Sequence, residues 1–263
     1  MNRVQRLRAL PYRTRLAVVV AAGLLGLIGT LAVPAFPQPE WYHDFADKRL
    51  IWGVANYFDV VSNAGFAAVG LAGLGFLASA GGRAALADVA ARTAYLSFFA
   101  GLLLVAAGSA YYHLAPTTES LYWDRLGMSV AFMAFYAAVI GERVHRRAGL
   151  WLLPVFVVAG ALATTAWSYS EAAGAGDLRI YLLVQVVPAL TLPLIVLLFA
   201  APAGGDRHLV AMLALYATAF VLEKLDGPVF SLLGGLVSGH SLKHLAAAAA
   251  CYAVLVMLIR RRT

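Results

Sequence analysis

Residues 92–113 read RTAYLSFFAGLLLVAAGSAYYH, and this stretch indicates both the class of the protein and where its chemistry lies. No charged residue separates Arg92 from His113, and about 20 apolar residues are enough for a helix to span a bilayer. The run ends in a serine and a histidine, Ser109 and His113. Ionisable residues in membrane segments are costly and usually functional, so this helix end is a candidate site.

The composition extends the membrane assignment to the whole chain. Of its 263 residues, 62% are hydrophobic and only 13% are charged, whereas soluble domains are about half apolar and a quarter charged. The net charge of +7 resides in short loops and tails between apolar runs, which is typical of membrane orientation rather than nucleic-acid binding. A single cysteine, Cys251, excludes an intrachain disulfide and a cysteine-based metal site.

Apolar runs predict an all-α, polytopic membrane protein with eight transmembrane helices. We place the spans at about 15–35, 56–79, 92–113, 122–141, 150–168, 179–200, 208–223 and 240–259. The seventh is the shortest. The loops between them are too short to hold a second domain.

The first span follows a basic segment and precedes Ala-Val-Pro-Ala, a pattern that also resembles a secretory signal. Its apolar run of about 18 residues is longer than a usual signal core, so we interpret it as an uncleaved helix. Residues 1–40 are then a basic N-terminus with an additional first helix. Residues 41–263 form a seven-helix transmembrane domain.

The distribution of lysine and arginine predicts the orientation. With the N-terminus inside, 14 of the 20 basic residues fall on the inner side and 6 on the outer side. Basic residues accumulate on the cytoplasmic side, so we expect both termini in the cytoplasm and, for a bacterial protein, insertion in the inner membrane. His113, Asp124 and residues 240–244 then all lie near the outer leaflet.

Three histidines at this level have the pattern of a metal site. His240 and His244 are four residues apart, so they share one helix face and can present two nitrogens to one ion. His113, from another helix, would be the third ligand. Three imidazoles with one open position are the ligand set of a catalytic zinc, which lowers the pKa of water towards 7.

Ser109 and Asp124 are the candidate catalytic side chains beside this metal. Ser109 lies one turn before His113 and could donate to a developing oxyanion, and Asp124 could exchange protons with water and the leaving amine. Each residue also has a structural interpretation. A serine in a membrane helix often bonds its own backbone, and Asp124 could cap the fourth helix or pair with Arg125.

The remaining histidines are weaker candidates. We interpret His43, His145 and His208 as solvated. The predicted topology places His145 and His208 on the cytoplasmic side, and His43 lies in an outer loop without an i,i+4 partner. A bis-histidine haem site is a further alternative, but it would leave Ser109 and Asp124 without a role.

The candidate residues Ser109, His113, Asp124, His240 and His244 belong to sequence blocks through which the chain resembles the alkaline ceramidases, most closely their bacterial members. The wider superfamily comprises seven-helix membrane hydrolases and progestin/adipoQ-type receptors. The blocks span about 45–245 and comprise Phe45–Arg49, Val54–Asn63, Gly108–Pro116, Leu121–Arg125 and Gly234–Leu245.

The resemblance implies a zinc amidase that cleaves ceramide or a related N-acyl lipid into a long-chain base and a fatty acid. It implies that His113, His240 and His244 bind zinc, that Asp124 accepts the proton, and that Ser109 polarises water or holds the oxyanion. Ser62 and Asn63 belong to the Val-Ser-Asn block and are expected to be supporting polar residues. The implied partners are a lipid substrate and the membrane, with no nucleic acid and no obligatory protein partner evident.

The chain departs from the family pattern in two places. The family core has seven helices, so the first span is an addition. Eukaryotic members carry an acidic calcium-binding segment, of which only a thin cluster remains here. Asn56 stands at an acidic position, so we expect at most a weak or structural calcium site, formed by Asp44, Asp47, Asn56 and Asp59.

Two other functions remain open from the sequence. A ligand-binding receptor or sensor on the same scaffold would keep the histidines for a structural zinc. A hydrolase acting on a lipid other than ceramide would use the same residues, because apolar helix faces encode chain preference only weakly.

Overall fold

The computed structural model describes residues 2–201 and 205–261, and these form helices without a β-strand. The helices are α1 (Arg3–Arg8), α2 (Tyr12–Ala32), α3 (Tyr57–Val61), α4 (Ala64–Ala78), α5 (Ala80–Ala85), α6 (Val89–Leu114), α7 (Thr118–Arg143), α8 (Arg146–Ala172), α9 (Arg179–Leu198), α10 (Asp206–Lys224), α11 (Asp226–Leu232) and α12 (Gly239–Arg260). A short 3-10 turn, Glu40–His43, interrupts the connection between α2 and α3.

The length and composition of these helices confirm an all-α polytopic membrane protein. Seven candidate spans are apolar enough to cross a bilayer, with α3 and α4 together forming one of them. Across the described residues, the bent pair α10 and α11, whose axes differ by 83°, would be an eighth if its two helices form one span rather than a re-entrant loop. The predicted seventh span, 208–223, therefore corresponds to the longer arm of a broken helix. Asp226-Gly227-Pro228 follows the break, and proline cannot continue a helix with its full set of hydrogen bonds.

The predicted fourth span begins too late in the chain. We expected it near residue 122, whereas α7 begins at Thr118. The reason is a reciprocal cap. The Thr117 side chain accepts a hydrogen bond from the Ser120 backbone nitrogen. In return, the Ser120 side chain accepts one from the Thr117 backbone nitrogen. Asp124 consequently lies in the second turn of α7 and does not cap the helix.

The core is built around α7, which packs mainly on α6 and α8. The most apolar window of α7 is 72% buried within the protein, whereas that of α2 is only 11% buried. Helix α2 packs at the periphery on α9, and α10 packs on α12. Helix α2 is thus the least buried of the seven candidate spans found in the described residues.

The two ends of the bundle differ in their polar residues. One end, which we call the site end, contains the C-terminus of α6 and the N-termini of α7 and α12. The connection 33–56, here called the strap, crosses this end. The opposite end, which we call the basic end, contains Arg8, Arg143 and Arg261.

Candidate metal centre

The three histidines predicted to bind a metal meet at the site end. His113, His240 and His244 are 1%, 4% and 3% exposed. Their ligand nitrogens lie within 4.8 Å of one another, and the Nε2 atoms of His113 and His240 are 3.2 Å apart. Two ligands bound tetrahedrally to one zinc ion at 2.0–2.1 Å would be about 3.3 Å apart. The geometry therefore suits a shared metal ion.

No competing metal cluster is found in the part of the chain that the structure describes. Across residues 2–201 and 205–261, this is the only group of three or more His, Cys, Asp or Glu side chains with ligand atoms near enough for one ion. The prediction that this protein has a metal-binding histidine triad is confirmed at the level of a site that could hold a metal ion.

Close approach of helices at two glycines places the ligands. A Cβ atom at Gly239 would lie 2.5 Å from the Leu222 carbonyl oxygen, so glycine allows the start of α12 to pack against the end of α10. The Ser238 side chain caps α12 by accepting from the Ser241 backbone nitrogen. Asp226 Oδ1 accepts from the His240 backbone nitrogen at 2.8 Å, which joins the ligand to the break between α10 and α11.

The second close approach brings α6 against α7. A Cβ atom at Gly108 would lie 2.2 Å from the Trp123 carbonyl oxygen, so only glycine permits this contact without movement. Ser109 and Asp124 are the next residues on the two helices and are 2% and 8% exposed. The Ser109 hydroxyl and the Asp124 carboxylate interact across this contact, and the hydroxyl is the group that can donate. The two predicted catalytic side chains are thus direct neighbours.

A serine fixes the ring of His244. Ser62 Oγ donates to the Asp59 carbonyl at 3.1 Å and lies 2.8 Å from His244 Nδ1. A hydroxyl has one proton, so Ser62 accepts a hydrogen bond from Nδ1–H of His244. This tautomer leaves the Nε2 lone pair of His244 free for a metal. His113 differs, because its buried Nδ1 has no hydrogen-bond partner among the residues that the structure describes.

Asp59 and Asn63 support the start of α12 and the turn before α4. Asp59 Oδ1 accepts from Ser238 at 3.1 Å and from Ser241 at 2.5 Å. Asn63 Nδ2 donates to the Asp59 carbonyl at 2.8 Å. The carboxylate of Asp59 therefore holds the start of α12 through Ser238 and Ser241, and Asn63 holds the Asp59 backbone.

The four residues considered for calcium have four different sets of partners. Asp44 pairs with Lys48 at the surface, and Asp47 is completely buried against Arg49. Asn56 Nδ2 donates to the His113 carbonyl at 2.8 Å, and Asp59 binds the two serines of α12. The structure thus does not bring Asp44, Asp47, Asn56 and Asp59 together into one cluster.

Two residues of the strap contribute to the site end in ways the sequence did not indicate. Phe45 lies over the triad, with its ring centroid 4.6 Å from that of His113 and 4.5 Å from that of His240. We expected His43 to be solvated. Its two ring nitrogens are instead hydrogen-bonded to Tyr112 at 2.8 Å and to Thr118 at 3.0 Å. Burial lowers the pKa of His43. A loop without regular periodicity gives no sequence signal for such contacts.

The other two histidines lie away from the triad. His145 is exposed and caps α8, and His208 lies near the start of α10. Arg125 does not form a salt bridge with Asp124, but donates to Gln38 of the strap at 2.6 Å. Its guanidinium lies 4.0 Å from the Trp167 ring centroid and 4.4 Å from that of Tyr181.

Comparison with known proteins found no matching family model, no matching curated protein and no matching solved structure, so the fold and the site described above rest on this chain alone.

Proposed function

We propose that this protein is a zinc-dependent membrane hydrolase that cleaves the amide bond of ceramide or a related N-acyl lipid. The products are a long-chain base and a fatty acid. The observation that carries the proposal is the convergence of a buried histidine triad and a buried, interacting Ser109–Asp124 pair at one end of a membrane-spanning bundle. The resemblance to alkaline ceramidases supports the choice of an N-acyl lipid.

The donor set fits zinc. Three nitrogens without a cysteine or carboxylate ligand leave one of four tetrahedral positions open, as in catalytic rather than structural zinc sites. Ser62 holds one of the rings in the tautomer that a metal ligand requires. Zinc bound there supplies Lewis acidity and allows water to ionise near neutral pH.

Asp124 and Ser109 then have separate roles in the reaction. Asp124 is buried and acidic, so it accepts a proton from the attacking water and delivers it to the nitrogen of the leaving amine. Ser109 donates a hydrogen bond, first to Asp124 and, when substrate is present, to the carbonyl oxygen as it gains negative charge. Water and the amide together give the free acid and the amine.

A lipid substrate suits the surroundings of the site. Phe132 lies two turns beyond Asp124 on α7, and Tyr216 lies two turns from Glu223 on α10. Their half-buried rings meet at a centroid distance of 5.5 Å. These rings and the apolar helix faces around them would line the path of the acyl chains from the site into the membrane.

The orientation is part of the proposal. The excess of basic residues in the segments assigned to the inner side supports cytoplasmic termini, insertion in the bacterial inner membrane and a site near the outer leaflet. Cysteine introduced at position 118 should react with an impermeant reagent added to intact spheroplasts, and cysteine at 145 should not. The opposite labelling pattern would contradict this orientation.

The substitution Asp124→Asn tests the proposed activity. It removes the proton acceptor but leaves the three histidines, so zinc content and fold should be unchanged while hydrolysis falls by about 10²- to 10⁴-fold. The measurement is fatty acid release from several N-acyl lipids, with zinc determined in the same sample. Glu119→Gln, an exposed acid at the start of α7, is the matched control and should be as active as wild type.

Two outcomes would count against the enzyme. Wild-type protein that holds zinc but hydrolyses no N-acyl lipid would favour a receptor or sensor. Full activity of Asp124→Asn would exclude this residue from proton transfer.

A further inference from the structure

An ion pair with partial exposure adjoins the histidine triad. Lys243 lies on α12 between His240 and His244, and its Nζ is 3.3 Å from Glu223 Oε2 on α10. The two side chains are 17% and 22% exposed, whereas the three histidines are at most 4% exposed. Residues three apart on a helix are neighbours, so Lys243 lies beside His240 on α12.

The charges of this pair act on the proposed reaction centre. Lys243 interacts electrostatically with Asp124 and with all three histidines. Glu223 also interacts with Asp124 and with Tyr42 of the strap. Neither residue was a site candidate from the sequence, because the pairing joins two helices about 20 residues apart.

The nearby alternative cation is already engaged. Arg125 is 5% exposed, donates to Gln38 and is covered by the rings of Trp167 and Tyr181. Lys243, whose side chain is 17% exposed, is therefore the less enclosed of these two cations.

We infer that Lys243 and Glu223 form a headgroup subsite that selects neutral, hydroxyl-bearing N-acyl lipids over anionic or cationic ones. The inference rests on the proposed function and specifies its substrate class. A hydroxyl group can accept from Lys243 and donate to Glu223 without separating the pair. A phosphate is attracted by Lys243 but repelled by Glu223 and Asp124. A quaternary ammonium is attracted by Glu223 but repelled by Lys243, and it has no N–H or O–H to donate.

The strength of such contacts sets the expected selectivity. Hydrogen bonds to charged groups are stronger than those between neutral groups and correspond to about tenfold or more in binding. An ion pair that only fastens α10 to α12 would change stability when broken, but it would not change headgroup preference in opposite directions.

The test uses three amides with identical chains. They are an N-acyl long-chain aminodiol, its phosphate monoester, and the analogue with a trimethylammonium group in place of the terminal hydroxyl. Wild-type protein should have the highest kcat/KM for the aminodiol, by about tenfold over each charged lipid. Glu223→Gln leaves Lys243 unbalanced and should shift the ratio towards the phosphate by about tenfold. Lys243→Met leaves Glu223 unbalanced and should shift it towards the trimethylammonium lipid.

Two controls separate this effect from loss of fold or general charge. Lys48→Met and Glu119→Gln repeat the substitutions at exposed positions and should leave all three ratios unchanged. Zinc content and the thermal unfolding midpoint are measured for every variant. Lipid binding is followed separately, as stabilisation of the unfolding midpoint by each amide.

The binding readout distinguishes the two proposals. If wild-type protein hydrolyses none of the lipids but is stabilised in the expected order, with opposite shifts in the two variants, the hydrolase fails and the subsite stands. If hydrolysis occurs without headgroup preference, or both variants shift the ratio in the same direction, the subsite is overturned and the hydrolase stands.

Discussion

The two ends of the bundle bury polar groups in different ways. At the basic end, Asp206 pairs with Arg8 and Arg143, and Glu142 pairs with Arg261. At the site end, three imidazoles face one another without a carboxylate between them. Opposite charges at the first end satisfy each other. The imidazole nitrogens at the second end can act together as ligands of a metal ion, which the chain itself does not supply.

The polar residues at the two ends are therefore expected to have different roles, one in stability and the other in metal binding. A buried ion pair holds helices together and needs no ligand, although it is costly when one partner is lost. Clustered neutral histidines contribute little to each other unless an ion joins them. We therefore expect substitutions at the basic end to change stability, and substitutions at the site end to change metal binding and activity.

The largest effect should follow Glu142→Gln at the basic end. Glu142 accepts from Tyr95 at 2.9 Å and pairs with Arg261, so it joins α6, α7 and the end of α12. Loss of one partner of a buried pair costs about 3–5 kcal/mol of unfolding free energy. Chemical unfolding in detergent should record this loss while zinc content per folded chain stays the same. A loss of zinc from folded protein would show that the ends are coupled.

Ser109→Ala should affect the reaction without affecting the metal. It removes a hydrogen-bond donor beside Asp124, and the loss of one oxyanion donor typically lowers kcat by about 10²- to 10³-fold. Steady-state hydrolysis with parallel zinc analysis measures both quantities. Ser97→Ala, three turns earlier on α6, is the control. Equal activity of the two variants would remove Ser109 from the mechanism.

Ser62→Ala should produce a smaller effect, on metal affinity. The alanine cannot accept from His244 Nδ1–H, and loss of such an outer partner weakens metal binding by about 10- to 100-fold. Competition with a chelator gives the affinity. Unchanged affinity would mean that the helices alone orient His244.

The sequence was informative where periodicity and spacing carry the information. Long apolar runs predicted the spans, and His240 and His244 predicted a shared face because a helix repeats every 3.6 residues. The common level of His113 and Asp124 followed from alternating helix directions. The resulting triad is confirmed as a group that could hold a metal ion.

One local cap was misplaced, and features that depend on tertiary contacts were missed. The cap at Thr117 moved the start of α7 by four residues, although its Thr-x-x-Ser pattern was visible in the sequence. The contacts of His43 and Phe45 arise from an irregular loop folding back over the site. The Lys243–Glu223 pair joins separate helices, and a single sequence does not record which charges meet across a bundle.

Elemental analysis of purified wild-type protein and of the His113→Ala, His240→Ala and His244→Ala variants tests the central claim most directly. The account predicts about one zinc ion per wild-type chain and a sharp loss of zinc in each variant, because each removes one of three ligands. His145→Ala, at an exposed helix cap, should keep the wild-type content. Wild-type protein without bound metal, or full zinc content in all three triad variants, would contradict the assignment of this site.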